Sequence, residues 1–164
     1  MTLRIGILTI SDRSSRGERE DASGPALAHL VGTLGWSVPR QAIVPDEASA
    51  IQSALTEWCD SAAVDVILTT GGTGFSPRDV TPEATRAVIQ RDAPGLAEAM
   101  RAASLAKTPH AMLSRAIAGI RGRVLIVNLP GSPKGAVENL ESISSVLPHA
   151  VQVLKEDPAS ESSH

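Results

Sequence analysis

The chain has 164 residues, 42% of them apolar, and a formal net charge of −3. That length favours one domain, and the apolar share is enough for a sizeable core. Two Trp, one Phe and no Tyr leave the core to aliphatic side chains and provide no stacking platforms of the kind single-stranded nucleic-acid binders use. With no basic field to attract DNA or an anionic membrane, neither is expected as a partner.

Cys59 is the single cysteine, which excludes an internal disulfide and leaves no zinc spacing. That fits a reducing, cytoplasmic location. The apolar start, Leu3 to Ile10, lacks a basic flank and a small-residue cleavage site, so it reads as a buried strand and not as a signal peptide. No apolar run approaches the roughly 20 residues of a membrane span.

Leu3 to Ile10 shows little alternation, as a strand buried on both faces should. After a polar stretch, Gly24-Pro25 opens a helix with Leu27, Leu30, Val31 and Leu34 on one face and Gly35 at its end. Trp36 to Val44 is a second strand weakened by Pro39 and stopped at Pro45-Asp46; a helix carrying Ile51, Leu55 and Trp58 follows. Val64 to Thr70 is a third strand that ends in Gly71-Gly72-Thr73-Gly74. Thr81 is the expected cap, and Pro82 the first residue, of a helix running to about Arg91. Pro94 starts another helix, to about Lys107, while residues 111–120 are ambiguous between helix and irregular chain. Arg123 to Leu129 is the last clear strand, and from Pro133 the chain is helical, with a kink expected at Pro148. The polar end, residues 155–164, reads as a disordered tail behind a single domain of residues 1–154. Strands alternating with long helices predict an α/β domain with a mostly parallel sheet.

Each of the four predicted strands is followed by a cluster of chemically apt residues: Ser11-Asp12-Arg13, Pro45-Asp46-Glu47, Gly71 to Gly74, and Asn128 to Lys134. Ligands of open α/β sheets bind outside the carboxyl ends of the strands, so parallel strands would bring all four clusters to one edge. The glycine loop either cradles an anion with its N–H groups or is a tight strand-to-helix turn. It is neither a Walker A motif nor a dinucleotide fingerprint. Asp46 and Asp79 suit Mg²⁺, which takes one or two carboxylates plus substrate phosphate oxygens, although spacing alone favours ordinary turn aspartates. Asp21 is either a ligand-facing acid or a helix N-terminal charge, and Lys134 either a phosphate partner or a solvated lysine. Cys59 beside Trp58 reads as a packed thiol, and His29, His110 and His149 have no metal-ligand spacing.

From Thr70 the sequence reads TGGTGFSPRDVTPEAT, which closely resembles the signature of the molybdopterin adenylyltransferases (MogA/MoaB type), a family that includes the amino-terminal domain of gephyrin and the matching plant domain. The resemblance continues through Pro94 to Leu105, Ala111 to Gly122 and Asn128 to Lys134. Upstream it takes in Thr9 to Arg13, Asp21 with Ser23 to Pro25, and Val44 to Glu47.

The resemblance implies a three-layer α/β/α sandwich around a mostly parallel sheet, assembled as a homotrimer. It implies transfer of AMP from MgATP to the terminal phosphate of molybdopterin, with pyrophosphate released and the product handed to a molybdenum insertase. It assigns catalysis and Mg²⁺ to Asp46 and Asp79. The nucleotide falls to Ser11, Asp12, Asp21, Gly71, Gly72, Thr73, Gly74 and Arg78, and the pterin to Ser104, Ser114, Asn128, Pro130 and Gly131. Arg78 to Ala84 is intact, which favours an active enzyme, while Ser132 and Lys134 occupy positions at which the family varies. Two rivals remain: a pterin-binding scaffold without catalysis, and an enzyme of another class such as a molybdate-inserting domain or a nucleotide hydrolase.

Overall fold

The computed structural model describes residues 2–158 and residue 161. Six strands form one mixed sheet: β1 (Arg4–Ile10), β2 (Ser37–Val44), β3 (Val66–Thr70), β4 (Arg91–Asp92), β5 (Ala118–Arg121) and β6 (Val124–Leu129), in the order β2-β1-β3-β6-β5-β4. β2, β1, β3 and β6 run parallel, and β5 and β4 continue the sheet antiparallel.

Side-chain alternation divides each central strand between two cores. A short helix, α1 (Asp12–Ser15), follows the end of β1. Ile5 and Ile7, Val66 and Leu68, and Leu125 and Val127 pack under α2 (Ser23–Thr33), α5 (Pro94–Leu105), α6 (Pro133–Ile143) and α7 (Leu147–Leu154). Leu8 and Ile10, Ile67, and Val124 and Ile126 pack under α3 (Ala48–Asp60) and α4 (Thr81–Val88). The expected three-layer α/β/α arrangement is therefore present. β1, β3 and β6 are buried on both faces, which is why they read as continuous apolar runs. β2 lies at an edge, where Pro39 removes no ladder bond the sheet needs. Cys59 packs in the second core, and burial pushes its thiol up to about 11, so it is an inert packing group.

Four local expectations change. Thr81 does not cap α4: the helix starts at Thr81 itself, with Val80 as N-cap, because the Thr81 hydroxyl donates to the Gly71 carbonyl at 2.9 Å. That buried carbonyl has to be satisfied. α4 stops at Val88, since Ile89 is already extended, and the chain enters β4. The ambiguous stretch resolves into a 3-10 turn, Pro109–Leu113, and then β5, which gains its strand character by pairing with β6. Pro148 kinks nothing: α6 ends at Ile143, a 3-10 turn intervenes, and Pro148 sits in the first turn of the new helix α7, where its missing N–H costs nothing.

Asp65 ties three elements together from beneath the sheet. It accepts from the Arg4 backbone N–H at 2.8 Å, the Arg4 guanidinium at 2.9 Å and the Lys155 ammonium at 2.8 Å. Burial pushes its carboxyl up, but the bonds from Arg4 and Lys155 outweigh burial and hold it below the usual range. A depressed folded value contributes stability above the unfolded pKa that is lost as pH falls through the folded one. Asp65→Asn is therefore expected to lower stability by about 1–3 kcal/mol at pH 7. It should also flatten the acid side of the stability curve, as urea denaturation between about pH 6 and pH 3 would show. Of the expected tail, Lys155 makes this ion pair and Glu156 accepts from Arg123 at 3.0 Å; residues 159, 160 and 162–164 lie outside the described residues.

Candidate active site

The parallel strands bring the four polar clusters to one edge. The Ser11 N–H donates to the Val44 carbonyl at 2.9 Å, and the Gly71 N–H to the Leu129 carbonyl at 3.2 Å, so the loops after β1, β2, β3 and β6 lie side by side. They enclose a cleft with two lobes that meet at Ser132. The first lobe, about 310 Å³, lies between Ser11, Asp21, Gly71 and Gly131. The second, about 320 Å³, is lined by Gly74, Ser104, Lys107, Ser114 and Pro130.

The glycine loop forms the ridge between the lobes. Gly71 and Gly72 have φ of +107° and +69°, which L side chains rarely adopt. A methyl group on Gly71 would lie 2.3 Å from the Ile10 carbonyl oxygen; one on Gly72 would lie 2.2 Å from the Thr81 hydroxyl and 3.1 Å from a carboxylate oxygen of Asp46. These glycines let the backbone pass between β1, α4 and the acidic residues.

Asp46 and Asp79 flank this loop and line neither lobe directly. The Asp12 N–H donates to the Asp46 carboxylate at 2.9 Å, and the Asp46 N–H to the Asp12 carboxylate at 3.0 Å, a reciprocal clamp between the ends of β1 and β2. The Arg78 guanidinium donates twice to Asp12, at 3.0 Å each, and once to Glu47 at 2.7 Å. Arg78 holds the Asp12 carboxyl below its ordinary value. Asp46 goes the other way: burial raises it, and the neighbouring charges of Asp12 and Asp79 raise it further. Asp79 accepts from the Ser76 N–H at 3.0 Å, which aims its carboxylate back along the loop.

Among the described residues no group of three or more Asp, Glu, His or Cys forms a metal cage. The donors present instead suit a cation that arrives with phosphate oxygens, because Mg²⁺ keeps such ligands and asks only one or two carboxylates of a protein. The charge repulsion felt by Asp46 is what such a cation would relieve.

The remaining site residues divide as follows. Asp21 lines the first lobe and accepts from the Thr9 hydroxyl at 2.8 Å and the Gly24 N–H at 3.1 Å, so it also anchors the start of α2. Thr73 and Gly74, assigned to the nucleotide by resemblance, line the second lobe; Gly131, assigned to the pterin, lines the first. Ser104 and Ser114 both face the second lobe. The Pro130 carbonyl accepts from the Thr70 hydroxyl at 2.7 Å and so orders the loop after β6.

Asn128 is not in the cleft. It shares the β6 face of Val124 and Ile126, is fully buried, and donates at 3.0 Å to each of the Thr69 and Thr85 hydroxyls while accepting from the Ile117 N–H at 3.2 Å. Parity along the strand decides this, since residues 124, 126 and 128 point the same way. Asn128→Ala is expected to cost at least about 2 kcal/mol through the buried groups it leaves unpaired. Pterin affinity per folded molecule should be unchanged; a loss of affinity at unaltered melting temperature would restore the contact role.

Arg115 is the residue that sequence reasoning missed. It donates to the Gly74 and Asp79 carbonyls and pairs with Glu83. Nothing in an ambiguous stretch such as Ser114 to Ile117 marks which side chain turns inward.

A mixed α/β domain with a glycine-rich ridge between two lobes at the carboxyl edge of its strands defines a class of small-molecule-binding enzyme folds. Residues 6–149 match the family model described as a probable molybdopterin binding domain, and the chain belongs to that family. It is 44% identical over 155 residues to a protein of Helicobacter pylori (strain J99) named molybdopterin adenylyltransferase, covering 93% of this chain and 88% of that one. It is 46% identical over 157 residues to the molybdenum cofactor synthesis protein cinnamon of Drosophila melanogaster; the match covers 95% of this chain but only 26% of that longer protein. The crystal structure of the molybdopterin biosynthesis enzyme MoaB from Thermus thermophilus superposes with a TM-score of 0.90 at 51% identity, covering 96% of this chain and 99% of that one.

Proposed function

We propose that this protein is a molybdopterin adenylyltransferase, which joins the AMP moiety of ATP to the terminal phosphate of molybdopterin and releases pyrophosphate. The observation that carries this reading is the glycine ridge, flanked by Asp46 and Asp79, standing between two lobes of similar size. A reaction joining two phosphate-bearing substrates needs that arrangement, with one reactant on each side of a shared anion cradle. A phosphate oxygen of the pterin attacks the α-phosphorus of ATP; the new P–O bond forms as the bond to the bridging oxygen of pyrophosphate breaks.

Such a transfer is catalysed mainly by positioning and charge stabilisation. The N–H groups of Gly72, Thr73 and Gly74 hold phosphate oxygens, and the first lobe, with Ser11 and Asp21, takes the nucleoside end. The second lobe, with Ser104, Ser114 and Lys107, takes the pterin. Asp46 and Asp79 are the residues that would hold a magnesium ion brought in with the triphosphate, and that ion supplies screening between the two anions. Arg78 is engaged by Asp12 and Glu47, so its part is to fix the acidic side of the site. The same reading carries a homotrimer with one site per subunit, a cytoplasmic location and transfer of the product to a molybdenum insertase. No helix among the described residues is long and apolar enough to cross a membrane.

The test is single-turnover reaction of the purified protein with molybdopterin and labelled ATP, with and without Mg²⁺. Equimolar, Mg²⁺-dependent adenylylated pterin and pyrophosphate are expected. Tight pterin binding without product would support the scaffold reading, and AMP released without pterin would support a hydrolase.

A further inference from the structure

Arg115 reaches the ridge from the wall of the second lobe. Its backbone N–H donates to the Thr73 carbonyl at 2.8 Å, its Nε to the Gly74 carbonyl at 2.8 Å and its Nη2 to the Asp79 carbonyl at 2.7 Å. Its remaining nitrogen, Nη1, pairs with Glu83 on α4. The segment that carries Arg115 is itself held from α5: the Arg101 guanidinium donates to the Ala116 carbonyl at 2.7 Å and to the Ser114 carbonyl at 3.3 Å. The Ile117 N–H, next along the chain, donates to buried Asn128. Arg101, Ser114 and Gly74 all line the second lobe. A continuous set of bonds therefore runs from that lobe's wall to the backbone of Asp79.

We propose that Arg115 is a positioning residue that locks the glycine ridge and Asp79 to the wall of the second lobe, so that the acidic group and the pterin-side surface are held at one fixed separation. This rests on the adenylyl-transfer reading for its consequence, though not for its geometry. The Arg115 side chain touches two carbonyls of the same loop, those of Gly74 and Asp79, which closes the loop between them into a rigid ring. Within that ring the Ser76 and Asp79 backbones and the Asp79 carboxylate bond to one another, and this is what aims the carboxylate. A planar guanidinium spans both carbonyls and the Glu83 carboxylate together; an ammonium at the same site satisfies one of them. A displacement of about 1 Å in a reacting group costs about 10²-fold in rate.

Arg115→Lys and Arg115→Ala are compared with the wild-type chain by melting temperature, amide hydrogen exchange, Mg²⁺-dependent ATP binding and single-turnover adenylylation. In Arg115→Lys, protection of the Ser76 and Asp79 amides, which are hydrogen-bonded within the ring, should fall about tenfold or more while the amides of β1, β3 and β6 keep theirs, as local opening predicts. The rate should fall on the order of 10²-fold. Wild-type protection of the Ser76 and Asp79 amides in Arg115→Lys overturns the proposal. So does protection lost equally across the sheet, which would make Arg115 a stabilising residue only. If Arg115→Ala does not fold, the lysine variant carries the test. If the wild-type chain makes no adenylylated pterin, the functional reading fails, while exchange and ATP binding still decide the role of Arg115.

Discussion

Asp79→Asn is expected to slow single-turnover adenylylation by about 10³-fold, in the range that removing a charge-stabilising group costs phosphoryl-transfer enzymes. Pterin affinity should change by less than about threefold, because Asp79 does not line the second lobe. The substitution keeps the shape of the side chain, and an amide oxygen can still accept from the Ser76 N–H, so the loop should hold. What changes is charge. The Asp79 carboxylate is one of the groups that raise the Asp46 pKa, after burial and the Asp12 charge. Removing it should therefore lower the Asp46 pKa, measurable by NMR titration of the side-chain carboxyl in the nucleotide-free protein. The direction follows from the sign: a like charge disfavours the ionised form, and its loss makes ionisation easier. An Asp46 titration unmoved in Asp79→Asn would mean that the two acids do not act on one another. Near-wild-type turnover would remove Asp79 from the mechanism.

Gly71→Ala is the second large effect. The added methyl would sit 2.3 Å from the Ile10 carbonyl oxygen, at a φ of +107°. Backbone strain of this kind costs about 1–3 kcal/mol. The contact adds to it, because the obstructing atom is the main chain at the end of β1 and has nowhere to move without parting the sheet. A total near 3 kcal/mol would lower the melting temperature by roughly 6–12 °C. ATP affinity should fall with it, since the Gly71 backbone lines the first lobe. Gly72→Ala should be milder in stability: its methyl meets the Thr81 hydroxyl, a side-chain atom that can rotate away at the cost of its bond to the Gly71 carbonyl. Calorimetry of the two variants side by side checks this order. A Gly71→Ala protein that melts within about 2 °C of wild type would contradict the described approach of the ridge to β1.

Local pattern was enough to read the layered architecture. The run Leu3 to Ile10 suits a strand buried on both faces, Arg123 to Leu129 reads as a clear strand, and the polar clusters that follow the parallel strands mark the edge where the cleft lies. The acids Asp46 and Asp79 were weak by spacing and gained their weight from the resemblance. That the Asp79 charge raises the Asp46 pKa, behind burial and the Asp12 charge, came from the structure. β5 was illegible because Ala118 to Arg121 has little strand preference of its own and becomes a strand by pairing with β6. The Thr81 cap failed because a buried carbonyl elsewhere, that of Gly71, competed for the same hydroxyl.

By itself, then, the sequence determined the α/β class, the family and the strand ends at which chemistry gathers. These follow from periodicity and from motifs whose residues are neighbours in the chain. Only the tertiary structure decided that Asn128 is turned into the core and that Asp12 is spoken for by Arg78 and Asp46. It alone decided that Arg115 spans the Gly74 and Asp79 carbonyls from a distant segment of the chain. Side-chain partners at such separations are set by how the layers pack, and no local preference encodes them.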